Sequence, residues 1–254
     1  MPISRGVSTV FGLSAILLWA STVAVGRSLT EQIGTLTAAT IVYLGGGVIG
    51  LGWLGARGKL RIAVDGFGKR YLFGVGGLFV VNNVTLYLAI GTAANRLQVL
   101  EIGLVNYLWP MLTILLSVPI LKLRARWTLL PGALIGTVGI SLALTQNQPV
   151  SWESFTSGIL TNPAAYLFAF TAGSTWALYN NLSRRWGSAA TASGAVPYFL
   201  AATGLVLLGL RFIAQEQPVW STGVLGGLAY AAASVESCPQ AGTPACPLVS
   251  SCCE

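Results

Sequence analysis

The chain has 254 residues, of which 54% are apolar and only 8% charged, with a mean hydropathy of +0.72. A soluble domain carries about 25% charged residues, so this chain cannot cover a globular surface in water and must be solvated mostly by lipid. It has no His and a single Asp, Asp65, which excludes a Ser-His-Asp triad, an aspartyl dyad and a His-held metal. Neither enzymatic activity nor a cofactor is expected.

A helix needs about 20 apolar residues to cross a bilayer. Runs of that kind lie near 7–26, 34–55, 71–92, 98–121, 127–145, 162–183 and 195–214, and an eighth begins near 220 and fails near 235. The expected fold is therefore all-α: a polytopic membrane helix bundle with seven full spans and a partial eighth. The first run follows Arg5 and is longer than the apolar core of about 7–15 residues in a signal peptide, so it reads as a span. The second contains Gly46-x-x-x-Gly50 and the fifth Gly132-x-x-x-Gly136, spacings that let helices approach closely. The third places Asn83 and Tyr87 four residues apart on one face.

In the fourth span Pro110 has no N–H to give to the carbonyl of Asn106, four residues back. An orphan carbonyl in hydrocarbon costs several kcal/mol unless some group satisfies it. Asn106 thus presents a carbonyl and a side-chain amide at one depth, suited either to a polar ligand group or to a kink satisfied by neighbouring helices. Trp109 shares its face. Glu101, in the first turn expected for this span, is the acidic residue nearest a span interior. It suits a substrate ammonium or a proton, or stabilises the positive end of its own helix. In the sixth span Trp176, Tyr179 and Asn180 fall at i, i+3 and i+4. Three spans thus each pair an aromatic ring with an amide, complementary to a ligand that is a flat ring carrying charged groups. Aromatic stripes at helical spacing also serve ordinary packing.

The net charge of +7 is unevenly placed. With the N-terminus inside, the inner segments hold Arg5, then Arg57, Lys59, Arg61, Lys69 and Arg70, then Lys122, Arg124 and Arg126, then Arg184 and Arg185, while the outer ones hold only Arg27, Arg96 and Arg211. This bias predicts a cytoplasmic N-terminus and makes membrane lipid, not nucleic acid, the partner of the basic residues. Trp19 with Arg27 eight residues on is repeated by Trp176 with Arg184 eight residues on. Five spans separate the copies, so they enter the membrane from opposite sides, as in inverted-repeat transporters. The expected organisation is a first five-helix repeat over 1–145 and a truncated second repeat over 146–235. Residues 236–254 hold all four cysteines, Cys238, Cys246, Cys252 and Cys253. Without a C-x2-C pair or a His they do not suit zinc. The abrupt change of composition suggests a disrupted reading frame and a disordered tail.

The segment Glu101-Ile102-Gly103-Leu104-Val105-Asn106-Tyr107-Leu108-Trp109-Pro110 resembles the signature of the aromatic amino acid exporter family within the drug/metabolite transporter (EamA-type) superfamily. Leu18-Trp19 with Arg27, Ala93-Ala94 with Gln98, Phe168-Ala169-Phe170, Trp176-Ala177-x-Tyr179 and Leu228-Ala229-Tyr230-Ala231-Ala232 are similarly placed. The resemblance implies a bacterial inner-membrane carrier of two inverted five-helix repeats that exports Phe, Tyr and Trp by alternating access through a midplane cavity. The substrate-contacting candidates are then Trp19, Asn83, Tyr87, Glu101, Asn106, Tyr107, Trp109, Trp176, Tyr179 and Tyr230. The alternatives are an EamA-type exporter of other metabolites or drugs and a non-transporting membrane fragment. The oligomeric state is not legible.

Overall fold

A computed structural model describes residues 29–30, 32–58, 60, 68–124, 128–146, 150–187 and 194–218. Every element among them is helical: α1 Thr35–Ala56, α2 Arg70–Thr92, α3 Arg96–Asn106, α4 Trp109–Leu121, α5 Leu129–Thr145, α6 Trp152–Thr161, α7 Pro163–Trp186 and α8 Val196–Ala214. Among the described residues four stretches are long and apolar enough to cross a membrane: α1, α2, α3–α4 taken together as Arg96–Leu121, and α8. The apolar part of α5, Leu129–Ala143, is shorter. The large apolar side chains Phe73, Ile135, Leu142, Leu167 and Ile213 are mostly exposed, as expected where lipid tails take the place of water. The first span, the partial eighth and the tail lie outside the described residues.

Residues cluster into two compact units, one of Met1–Phe73 with Gly187–Glu254, the other of Gly74–Trp186. In the first, α1 packs along α8. A Cβ on Gly47 would lie 2.6 Å from the backbone nitrogen of Ala201, and one on Gly204 would lie 2.7 Å from that of Leu44. Each helix therefore offers a glycine where the other's backbone arrives, which maximises van der Waals contact when no hydrophobic effect drives helices together. Gly46 and Gly50 of the expected spacing are buried, as is Gly47. Gly132 and Gly136 on α5 have nothing within 4 Å of a notional Cβ. At one end of this pair the Glu216 carboxylate accepts from the amides of Leu36 (3.2 Å) and Thr37 (2.5 Å) and from the Thr37 hydroxyl (2.7 Å). It thereby satisfies the free N–H groups of the α1 first turn, and Gly34, at φ 90°, leaves the space it occupies.

In the second unit α7 is the hub: α2, α3, α4 and α6 all pack on it. Ala165, Ala169, Ala172, Gly173 and Ala177 give it a buried face of small residues, against which other helices come close. The 98–121 span is not one helix. It ends at Asn106, turns through Tyr107 and Leu108 and restarts at Trp109, with Pro110 in the first turn of α4. Pro110 has no N–H for the Asn106 carbonyl and its ring crowds that oxygen, so a helix passing here kinks or breaks. The turn is closed instead by Leu108 N–H to the Val105 carbonyl (3.2 Å) and by Leu112 N–H to the Leu108 carbonyl (3.0 Å). Helix α6, which the spacing of apolar residues did not signal, opens with a capping box in which Ser151 and Ser154 bond each other's backbone amides.

Candidate functional site

One face of α7 and the elements packed on it hold four of the candidates, Trp176, Tyr179, Asn83 and Asn106. Trp176 and Tyr179 stack at 4.9 Å between centroids with planes 16° apart. Phe79 of α2 sits against both, 6.2 Å from the Trp176 ring and 5.5 Å from the Tyr179 ring, tilted to each. Offset and tilted ring pairs of this kind contribute about 0.5–1.5 kcal/mol each beyond burial. Phe79 is buried and Trp176 is half-buried, so the cluster has a packed side and an accessible one. One turn along α2, Asn83 donates from Nδ2 to the Phe79 carbonyl at 2.7 Å, which brings a buried amide beside the rings.

On the same face of α7, three residues before Trp176, Gly173 meets the α3–α4 break. A Cβ there would lie 2.8 Å from the Asn106 carbonyl oxygen. The carbonyl that Pro110 leaves without its helical donor is therefore aimed at the one α7 residue lacking a side chain. Further along, Asn181, 1% exposed, donates from Nδ2 to the Thr113 carbonyl of α4 (3.0 Å) and to the Ala177 carbonyl of its own helix (2.9 Å). Rings from α2 and α7, an interrupted helix and two anchoring amides thus converge within one unit. Such a place combines apolar ring surface with hydrogen-bonding groups that irregular backbone exposes.

At one end of this unit a second polar cluster forms. Glu101 is 2% exposed. Its Oε1 accepts from the Ser154 hydroxyl of α6 at 2.8 Å, and its Oε2 accepts from the Tyr166 hydroxyl of α7. Gly158 leaves the room in which this carboxylate and phenol meet. Nearby, Asn95 caps α3 through the Gln98 amide (2.8 Å), and Asn162 donates to Gln98 Oε1 (3.1 Å) and to the Thr92 carbonyl (2.8 Å). Because α3 begins at Arg96, Glu101 is in its second turn, not its first. Stabilising the helix N-terminus, an effect confined to the first turn, is therefore replaced by tying α3 to α6 and α7.

Of the remaining candidates, Tyr87 and Trp109 are half-buried and Tyr107 is 38% exposed. Trp19 and Tyr230 lie outside the described residues. Phe79, Gly173, Asn181, Thr113, Ser154 and Tyr166 were not anticipated. Asn181 carried a signal, a second amide in an apolar run, and Phe79 lies one turn before Asn83. Nothing in the sequence pairs Gly173 with Asn106.

Residues 7–145 match the EamA-like transporter family. The chain belongs to that family. It is 32% identical over 227 residues to the aromatic amino acid exporter YddG of Salmonella typhimurium, covering 89% of this chain and 74% of that protein. It is 30% identical over 223 residues to the YddG of Escherichia coli K12, covering 87% and 73%. It is also 30% identical over 220 residues to the YddG of Ancylobacter novellus, covering 87% and 72%. One solved protein structure superposes with a TM-score of 0.72 at 27% identity, covering 94% of this chain and 79% of the other. As an EamA-family protein the chain is a transporter, not an enzyme.

Proposed function

We propose that this chain exports aromatic amino acids across a bacterial inner membrane, by alternating access between two inverted repeats. The observation that carries the reading is the stacked Trp176–Tyr179 pair closed by Phe79, set on the helix face that also meets the Asn106 break. A phenyl, phenol or indole ring finds apolar ring edges there, and its ammonium and carboxylate find amide and carbonyl partners. The three exporters to which the chain is similar have names that state this substrate class. The substrate-contacting candidates are Trp176 and Tyr179 on α7, Asn83 and Tyr87 on α2, and Asn106, Tyr107 and Trp109 at the break, with Glu101 at one end of the same unit; the candidates Trp19 and Tyr230 lie outside the described residues.

The repeats span 1–145 and 146–235, with the N-terminus cytoplasmic. In support, α7, from the second stretch, packs among α2, α3 and α4 from the first, as interleaved halves would. In an efflux assay, cells loaded with labelled phenylalanine and expressing the chain lose label faster than cells carrying an empty vector. Trp176→Ala abolishes the difference, and excess tyrosine or tryptophan in the cytoplasm slows the efflux while lipophilic cations do not. Efflux unchanged by Trp176→Ala refutes the site. Competition by lipophilic cations alone transfers the chain to the drug-exporting part of the superfamily.

A further inference from the structure

A separate feature lies in the unit built from α1 and α8. Between these helices runs a groove of about 420 Å³. Its floor and walls are Ile41, Leu44, Val48 and Leu208, and its polar end is formed by Thr37, Thr40 and Arg211. From Thr37 to Val48 is a rise of about 16 Å along the helix, close to the half-thickness of a bilayer core about 30 Å deep. Charge at one end and a leaflet's length of apolar wall below it match one class of molecule, a lipid with a polar head.

Two polar groups at the head end have bonding capacity to spare. Arg211 donates from Nε to the Thr37 hydroxyl at 2.9 Å, and its terminal guanidinium nitrogens have no hydrogen-bond partner among the described residues. Thr40 is 4% exposed and its hydroxyl has no hydrogen-bond partner among the described residues. Elsewhere in these helices a threonine hydroxyl bonds its own helix: Thr113, Thr137, Thr175 and Thr203 each donate to the carbonyl four residues back. Thr40 does not, and a buried polar group left unmade is costly. It lies three residues deeper into the membrane than Thr37, about 4.5 Å along the axis. In a glycerophospholipid the ester carbonyls lie about one such step below the phosphate. The Thr37 hydroxyl stands between Arg211 and Glu216, accepting from the guanidinium Nε and donating to the carboxylate.

We infer that this groove is a binding site for one glycerophospholipid molecule, with its phosphodiester on Arg211, an ester carbonyl on the Thr40 hydroxyl and an acyl chain along Leu44 and Val48. It shares no residue with the substrate-contacting candidates proposed above. A lipid wedged between two helices whose backbones touch at Gly47 and Gly204 would set how freely they slide.

The test uses the purified full chain in detergent and native mass spectrometry. The probes are palmitoyl-oleoyl phosphatidylglycerol, its ether-linked analogue and a diacylglycerol with the same chains. Wild-type protein retains one phosphatidylglycerol and binds the diacylglycerol about tenfold more weakly, the scale of a lost hydrogen bond to a charged group. Arg211→Gln loses about tenfold for phosphatidylglycerol and nothing for diacylglycerol. Thr40→Val, close in shape and so expected to fold even if the Arg211 variant does not, loses a few-fold for the ester lipid and nothing for the ether lipid, which has no carbonyl. Equal retention of phosphatidylglycerol and diacylglycerol by the wild type, or Thr40→Val indifferent to ester against ether, overturns the assignment. Displacement of the lipid by free phenylalanine also overturns it, and gives the groove to a transported ligand.

Discussion

Replacing Gly173 by alanine adds one methyl group where α7 meets the break in the fourth span. That methyl would lie 2.8 Å from the Asn106 carbonyl oxygen and 3.5 Å from the Asn106 carbonyl carbon and Cα, all backbone atoms that cannot swing aside as a flexible side chain would. Overpacking of this kind costs about 1–3 kcal/mol. A Gly-to-Ala change inside a helix returns up to about 1 kcal/mol through propensity. The clean comparison is Gly103→Ala on α3, where a Cβ meets nothing within 4 Å and only the propensity gain applies. The two variants should therefore differ by about 2 kcal/mol, or roughly 4–8 °C in apparent Tm for a chain of this size. Thermal unfolding of both purified variants in the same detergent, read by tryptophan fluorescence, measures the difference. If Gly173→Ala melts no lower than Gly103→Ala, the helices do not meet through that carbonyl, and the convergence of α3, α4 and α7 on one site fails with it.

Glu101→Ala and Tyr166→Phe should each destabilise the chain by about 1.5–3 kcal/mol, and the double variant by clearly less than their sum because both remove one shared bond. Additive losses in a thermal-shift cycle would mean that the two groups act separately. Asn181→Leu should lower the apparent Tm through loss of its bond to the Thr113 carbonyl, about 1–2 kcal/mol, and an unchanged melting curve would deny the α4–α7 link. Gly158→Ala should cost as much as Glu101→Ala, since its methyl fills the space in which the carboxylate meets Tyr166, and the test is whether it still destabilises when Tyr166 is already Phe. Gly47→Ala, whose methyl would lie 2.6 Å from the Ala201 backbone nitrogen, should lower the apparent Tm, whereas Gly132→Ala, with nothing within 4 Å, should leave it unchanged or slightly raised.

The helix limits were legible in the sequence to within a few residues at 34–55, 71–92, 127–145 and 195–214, because in lipid the length of an apolar run is itself the structural constraint. The pairing of Trp176 with Tyr179 was legible for a similar reason, since i, i+3 spacing on a helix decides adjacency before any tertiary contact forms. The break after Asn106 was only half legible: Pro110 marks a missing bond, but a kink and a restarted helix satisfy that mark equally, and which one forms depends on the surface α7 offers. Helix α6 escaped because ten residues of mixed polarity at a membrane end carry no apolar run to find.

By itself the sequence determined that the chain lives in a bilayer and is built of helices. It also determined that the chain has no His, and so no His-ligated metal site or Ser-His-Asp triad, since those follow from composition and from the need to satisfy every backbone group in hydrocarbon. Only the tertiary structure decided which small residues bring helices together. Gly47, Gly173 and Gly204 meet another helix's backbone while Gly132 and Gly136 meet nothing. Tertiary structure also decided that Glu101 faces Tyr166 and Ser154 across 65 and 53 residues of chain. Contacts between elements distant in sequence depend on how whole faces fit, and no local periodicity records that.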